Sequence, residues 1–202
     1  DPQAAFDAGW TPKLAEMRLH NGTIYRWNRP IYDIVDGRPH LRVENRVLPA
    51  GPTIVDTLAN AAFYYGALHA LVGEDRPVWS RMAFGTAAEN FTAGARHGID
   101  ALLFWPGRGE LPASELVLRE LLPLAVEGLT DWGVDAAVRD RLLGIIEARC
   151  LTGRNGADWQ VAAVRRLENR GLSRTDALRE MVAAYAVNMH SNEPVHTWEL
   201  PG

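Results

Sequence analysis

Residues Asp36-Gly37-Arg38-Pro39-His40-Leu41-Arg42-Val43-Glu44-Asn45-Arg46-Val47-Leu48-Pro49-Ala50-Gly51-Pro52-Thr53 decide how this chain is read. Asp-Gly is a strong hairpin signal, and the run from Leu41 to Val47 has the β-branched and alternating character of a strand. Alternation puts Arg42, Glu44 and Arg46 on one face, with the carboxylate between two guanidiniums. Such a face suits phosphate and metal rather than a core. The Pro-Ala-Gly-Pro bend then stops the strand, and Thr53 opens an apolar helix with Asp56 three residues on, a capping arrangement.

Upstream, Thr23 to Arg29 and Ile31 to Val35 are further β-like runs separated by Pro30, so three antiparallel strands are expected before residue 50. Downstream the spacing turns helical. Ile54, Val55, Leu58, Ala61, Ala62, Tyr65 and Leu68 make an apolar stripe ending near Gly73, and this helix is expected to pack on the sheet. Further helices are expected over Ser80 to Arg96, Ser114 to Leu129 with a bend at Pro123, Asp135 to Leu151, Ala157 to Arg170, and from a Ser173 cap to about Met189. Ala101 to Trp105 reads as a strand or a buried turn. The layout is α+β: antiparallel strands near the N-terminus packed against a mostly helical C-terminal portion, in one domain over 1–202, with strands over about 20–52 and mainly helices over 53–202.

The 202 residues, 47% hydrophobic and 23% charged, are those of an ordinary globular protein. A net charge of -4 gives no global attraction to nucleic acid, so any bound anion must be held by local arginines. No apolar run approaches the ~20 residues that span a bilayer, and no signal peptide opens the chain, so a cytoplasmic protein without membrane or nucleic-acid partners is expected. The start at Asp1-Pro2-Gln3, without Met, reads as the interior of a longer polypeptide. Cys150, the one cysteine, falls in a helix-like run and reads as a small core residue. P-loop, dinucleotide, CxxC and HExxH patterns are absent, and His40, His69, His97, His190 and His196 have no metal-ligand spacing.

On the bare pattern, the Arg-Glu-Arg strand is first a solvated ladder of salt bridges. The order of residues adds to that. His20-x-x-Thr23, Arg29 six residues after that threonine, and then Glu44-x-Arg46 on a strand resemble the carboxylate–amine ligases of the glutamate–cysteine ligase type. Arg42-x-Glu44-x-Arg46, the Pro-rich bend and the Ala-rich helix Leu58 to Gly66 are similar to the strand and helix near the end of the glutamine synthetase catalytic domain. The likeness covers His20 to about Leu71, roughly a quarter of the chain.

The resemblance implies a partial glutamine synthetase-like catalytic domain that uses ATP and Mg2+ to join a glutamate-like acid to an amine such as cysteine. It implies Glu44 as a metal ligand, Arg46 and Arg29 as the groups that stabilise the transferring phosphate, and Arg42, Thr23 and His20 as nucleotide-side residues. Before Leu19 nothing supplies the further acidic ligands of a whole ligase, so the missing N-terminal half is an implied partner and the isolated chain is expected to be inactive. A homo-oligomer is left open. Thr152 to Trp159 is also similar to the end of that family, but reads first as a helix stop and restart. The competing readings are a non-catalytic assembly module and a small-molecule binding module of the same fold.

Overall fold

The computed structural model describes residues 1–25 and 27–202. Over the described residues it is α+β, 62% helical, with two small antiparallel sheets. Two compact units divide at residue 49, Asp1–Pro49 and Ala50–Gly202. Among the described residues no helix is long and apolar enough to cross a membrane.

The first unit holds α1 (Pro2–Asp7), α2 (Ala15–Thr23) and a two-stranded ribbon, β1 (Asn28–Val35) and β2 (Arg38–Asn45). Asp36 and Gly37 turn the hairpin with φ of 51° and 74°, the left-handed pair that matches the twist of the strands. Pro30 does not end a strand as expected; β1 runs through it, paired with Val43. The physical reason is the register. The Arg46 N–H donates to the Trp27 carbonyl, so Arg29 and Glu44 face each other as a bonded pair, and Pro30, one residue on, points its ring nitrogen away from β2. The expected first strand from Thr23 is likewise corrected: residues 15–23 are helical, and among the described residues, outside which Arg26 of the expected run lies, two strands rather than three precede residue 50. No described residue of this unit is fully buried.

In the second unit, α3 (Ile54–Val72) is capped as the sequence indicates, Thr53 Oγ1 accepting from the Asp56 N–H at 3.1 Å. α4 (Phe84–His97) ends at Gly98, whose φ is 56°. β3 (Leu102–Trp105) and β4 (Gly109–Pro112) form a short hairpin, resolving the ambiguous 101–105 run as a strand. The Asn90 side chain clasps this hairpin, donating to the Phe104 carbonyl and accepting from its N–H, each at 2.8 Å.

A helical path follows through α5 (Ala113–Leu116), a π-helical turn at Val117–Leu121, and α6 (Leu122–Asp131). The widened turn lies just ahead of Pro123, which lacks an N–H and would crowd the carbonyl four residues back. α7 (Ala136–Thr152), α8 (Gly156–Asn169) and α9 (Arg174–Ser191) complete the unit.

Within its unit α3 packs on α6 and α7. At the α3–α6 crossing Gly66 and Gly128 meet, and a Cβ on Gly128 would overlap the Gly66 carbonyl, so only glycine lets these backbones come so close. Two small clusters fill the α3–α6–α7 side, Val55, Ala59, Ile145 and Ile146 in one and Ala67, Ala125, Leu129 and Leu143 in the other. Trp159, Leu167, Ala177, Met181, Val195 and Trp198 build the main core around α8 and α9.

Candidate functional site

Glu44 is the centre of the candidate site. Its Oε2 lies 2.7 Å from Arg29 and 3.1 Å from Arg46, so one carboxylate is held between two guanidiniums. The pair is not the one alternation alone suggests. Arg29 stands directly opposite Glu44 across the ribbon, nearer than a residue two places along the same strand, and it takes the place expected for Arg42. Arg42 turns instead toward His40, 2.6 Å away, and Asp33, 3.8 Å away.

Each guanidinium is fixed by a second contact. Arg29 donates to the Asn21 and Gly22 carbonyls, both at 3.2 Å, at the C-terminal end of α2 where a cation is favoured. Its side chain is 15% exposed. Arg46 stacks over the Tyr25 ring at 5.2 Å. Glu44 Oε2 is buried, and its two contacts are ion pairs without aligned hydrogen bonds; Arg29 Nε is also buried without a hydrogen-bond partner.

His20 and Thr23 are placed differently from expectation. Both lie in the last turn of α2 rather than at the mouth of a strand, and the Thr23 hydroxyl donates to the His20 carbonyl at 3.0 Å, a contact internal to the helix. Donating its proton to backbone, the exposed Thr23 hydroxyl keeps its acceptor lone pairs for any further contact. Arg154 is exposed beyond α7, with its N–H closing that helix on the Arg149 carbonyl, and Asn155 caps α8: the segment is a helix stop and restart.

Two residues that sequence reasoning passed over join the same face. Asp33 shares the face of Arg29, and Arg18 reaches it from α2 at 2.9 Å. The Ile34 N–H donates to the Asp33 carboxylate; this bond, with Arg18, Arg42 and His40 nearby, holds its pKa below the ordinary 3.8. Asp33 could have been found by counting two residues on from Ile31 once β1 was known to pass through Pro30. Arg18 carried no signal while its segment lacked a helix assignment.

A pocket of about 180 Å³ opens beside Arg29, lined by Arg18, Asn21, Gly22, Asp33 and Arg42 among others. The charge balance of the clamp is positive, two guanidiniums to one carboxylate. Mg2+ does not fit these residues by themselves: the single carboxylate is already neutralised twice over. Among the described residues no group of three His, Cys, Asp or Glu side chains is placed to hold a metal. The donor set is that of an anion site.

Elsewhere, burial pushes the Cys150 thiol up in pKa, the opposite of an activated nucleophile. Asp56 and Arg149 form a buried pair at 2.5 Å that ties α3 to α7. Comparison of the chain with protein-family models, curated proteins and solved structures finds no match in any of the three.

Proposed function

We propose that the chain is the C-terminal part of an ATP-dependent carboxylate–amine ligase, in which the polar face of the ribbon meets the phosphates of the nucleotide. The observation that carries this reading is the Arg29–Glu44–Arg46 clamp, together with the order of motifs His20, Thr23, Arg29, Glu44 and Arg46 along the chain. A surface salt-bridge ladder would leave its arginines free to swing. Here Arg29 is mostly buried and bonded to two helix-end carbonyls, and Arg46 is stacked on an aromatic ring, so both charges are set in place before any ligand arrives.

In the proposed reaction the terminal phosphoryl group of ATP passes to the side-chain carboxylate of a glutamate-like acid. The phosphorus–oxygen bond to ADP breaks, and a bond to the carboxylate oxygen forms. The amine then attacks the acyl carbon, the carbon–oxygen bond to phosphate breaks, and the surplus proton on nitrogen leaves with the departing phosphate. Arg29 and Arg46 neutralise the oxygens of the group in flight, the kind of electrostatic work on which phosphoryl transfer chiefly depends. Glu44 acts as the counter-ion that fixes both guanidiniums, and no step is routed through a metal.

The test is ATP hydrolysis by the intact protein across a panel of amino acids taken singly and in pairs. Stimulation by an acid and an amine together, glutamate with cysteine foremost, supports the ligase. Silence with every pair overturns it.

A further inference from the structure

The pocket beside Arg29 has a composition of its own. Arg18 enters it from α2, Arg29 and Asp33 from β1, and Arg42 from β2, three guanidiniums against one carboxylate. At about 180 Å³ it is smaller than the roughly 300–1,000 Å³ of pockets that take a whole cofactor or drug-sized ligand, so it has room for one small group and not for a nucleotide. Its arginines differ in freedom. Arg29 is held by the Asn21 and Gly22 carbonyls and by Glu44, whereas Arg18 and Arg42 are 46% and 48% exposed and share a single counter-ion, Asp33, at 2.9 and 3.8 Å.

A carboxylate shared by two half-exposed arginines leaves fork donors unused, and the planar guanidinium is the side chain best matched to a small oxyanion. We propose that this pocket is an oxyanion site for a single phosphate group, with Arg29 as its fixed wall and with Arg18 and Arg42 turning from Asp33 to the ligand. Asp33 is then the internal substitute that keeps the two arginines paired while the pocket is empty of ligand. In naming phosphate rather than a carboxylate, the inference rests on the ligase reading, where the group would be the phosphate that leaves when the amine attacks. Arg18, from a helix outside the motif order, becomes part of the binding machinery.

Inorganic phosphate is the probe, titrated into the full chain at low ionic strength by calorimetry, with amide NMR spectra to verify that each variant is folded. Saturable binding is expected. Arg18→Ala should weaken it about tenfold or more, the worth of a charge-assisted hydrogen bond, and Arg18→Lys should recover part of the loss because it restores charge without the fork. Arg174→Ala, at an exposed pair with Glu168 on the second unit, should change nothing.

Because Arg18 also ties α2 to the ribbon, a second variant reads the site independently. Asp33→Asn removes the competitor for both arginines and should tighten phosphate binding, which a merely structural role for Asp33 would not do. A folded chain without saturable phosphate binding, an Arg18→Ala variant equal to wild type, or an Asp33→Asn variant no tighter than wild type would each overturn the site. Acetate competing as well as phosphate would overturn the assignment to phosphate. Phosphate binding alongside silent ATP hydrolysis in the intact protein would overturn the ligase reading and leave the pocket standing; stimulated hydrolysis with no phosphate binding here would overturn the pocket alone.

Discussion

Replacing Asp56 by alanine should remove a large part of the stability of the second unit. Asp56 is wholly buried, and its carboxylate takes Arg149 at 2.5 Å, the Thr53 hydroxyl at 2.8 Å and the Val195 N–H at 3.1 Å. Its loss strands the Arg149 guanidinium, 12% exposed, with the Asn60 side chain and the Asp56 carbonyl as remaining acceptors. Breaking a buried pair by deleting one partner costs about 3–5 kcal/mol. Orphaning the Val195 N–H adds to the cost, though within one shared network the contributions do not sum, and about 4 kcal/mol in total is a fair expectation. Against a total stability of about 5–15 kcal/mol, that shifts the unfolding midpoint far enough to measure easily.

The assay is urea unfolding followed by tryptophan fluorescence. Trp159 and Trp198 lie in the core cluster that contains Val195, so they report on this unit directly. The slope against urea should stay unchanged while the midpoint falls. Asp56→Asn, which keeps an acceptor for the Val195 N–H, should cost less than alanine. A loss below about 1 kcal/mol for Asp56→Ala, the size of an exposed pair, would refute the reasoning.

Gly128→Ala should destabilise the α3–α6 crossing by about 2 kcal/mol, since overpacking against the Gly66 backbone outweighs the gain of about 1 kcal/mol in helix propensity; a thermal melt unchanged from wild type would contradict that. His196 is held below its ordinary 6.5 by burial first and by the Arg149 charge second, partly offset by Asp56. The unfolded chain therefore binds this proton more readily, and stability should fall as the pH drops from 6.5 toward the folded value, then level off; His196→Phe should flatten that slope in urea unfolding. Asp33, depressed below 3.8, gives a slope of the same sign in a more acidic window: its contribution is present above 3.8 and is lost as pH falls through the lower folded value. A carboxyl NMR titration should place its midpoint below 3.8, and Arg18→Ala should restore only part of the shift, because the Ile34 N–H is the larger cause.

The helices were legible wherever a cap was written in the sequence. Thr53 with Asp56, Asp135 with Gly153, and Ser173 with Asp176 mark ends that the structure places within a residue or two, because each end depends on hydrogen bonds made by neighbours in sequence. The region before β1 was not legible. Thr23 to Arg29 is rich in Ile, Tyr and Trp, which suggests a strand, yet Thr23 closes α2 and β1 begins only at Asn28. Pro30 misled for a related reason: proline breaks central strands, and a two-stranded ribbon has only edges.

The site was half legible. Alternation correctly put Glu44 and Arg42 on one face, but which guanidinium reaches Glu44 depends on cross-strand register, and register was fixed by the Asp36-Gly37 turn rather than by the Arg-Glu-Arg pattern. Once the hairpin is folded about that turn, Arg29 falls opposite Glu44 without further information.

The central question for this protein is whether the charges around Glu44 act on phosphate. Measured in the intact protein with ATP and the acid and amine that stimulate it most, Glu44→Ala should reduce kcat by about a hundredfold or more, because Arg29 and Arg46 lose the counter-ion that aims them at the transferring group, while the thermal melt of the variant stays near that of wild type. Turnover within a few-fold of wild type in a folded Glu44→Ala protein would contradict it.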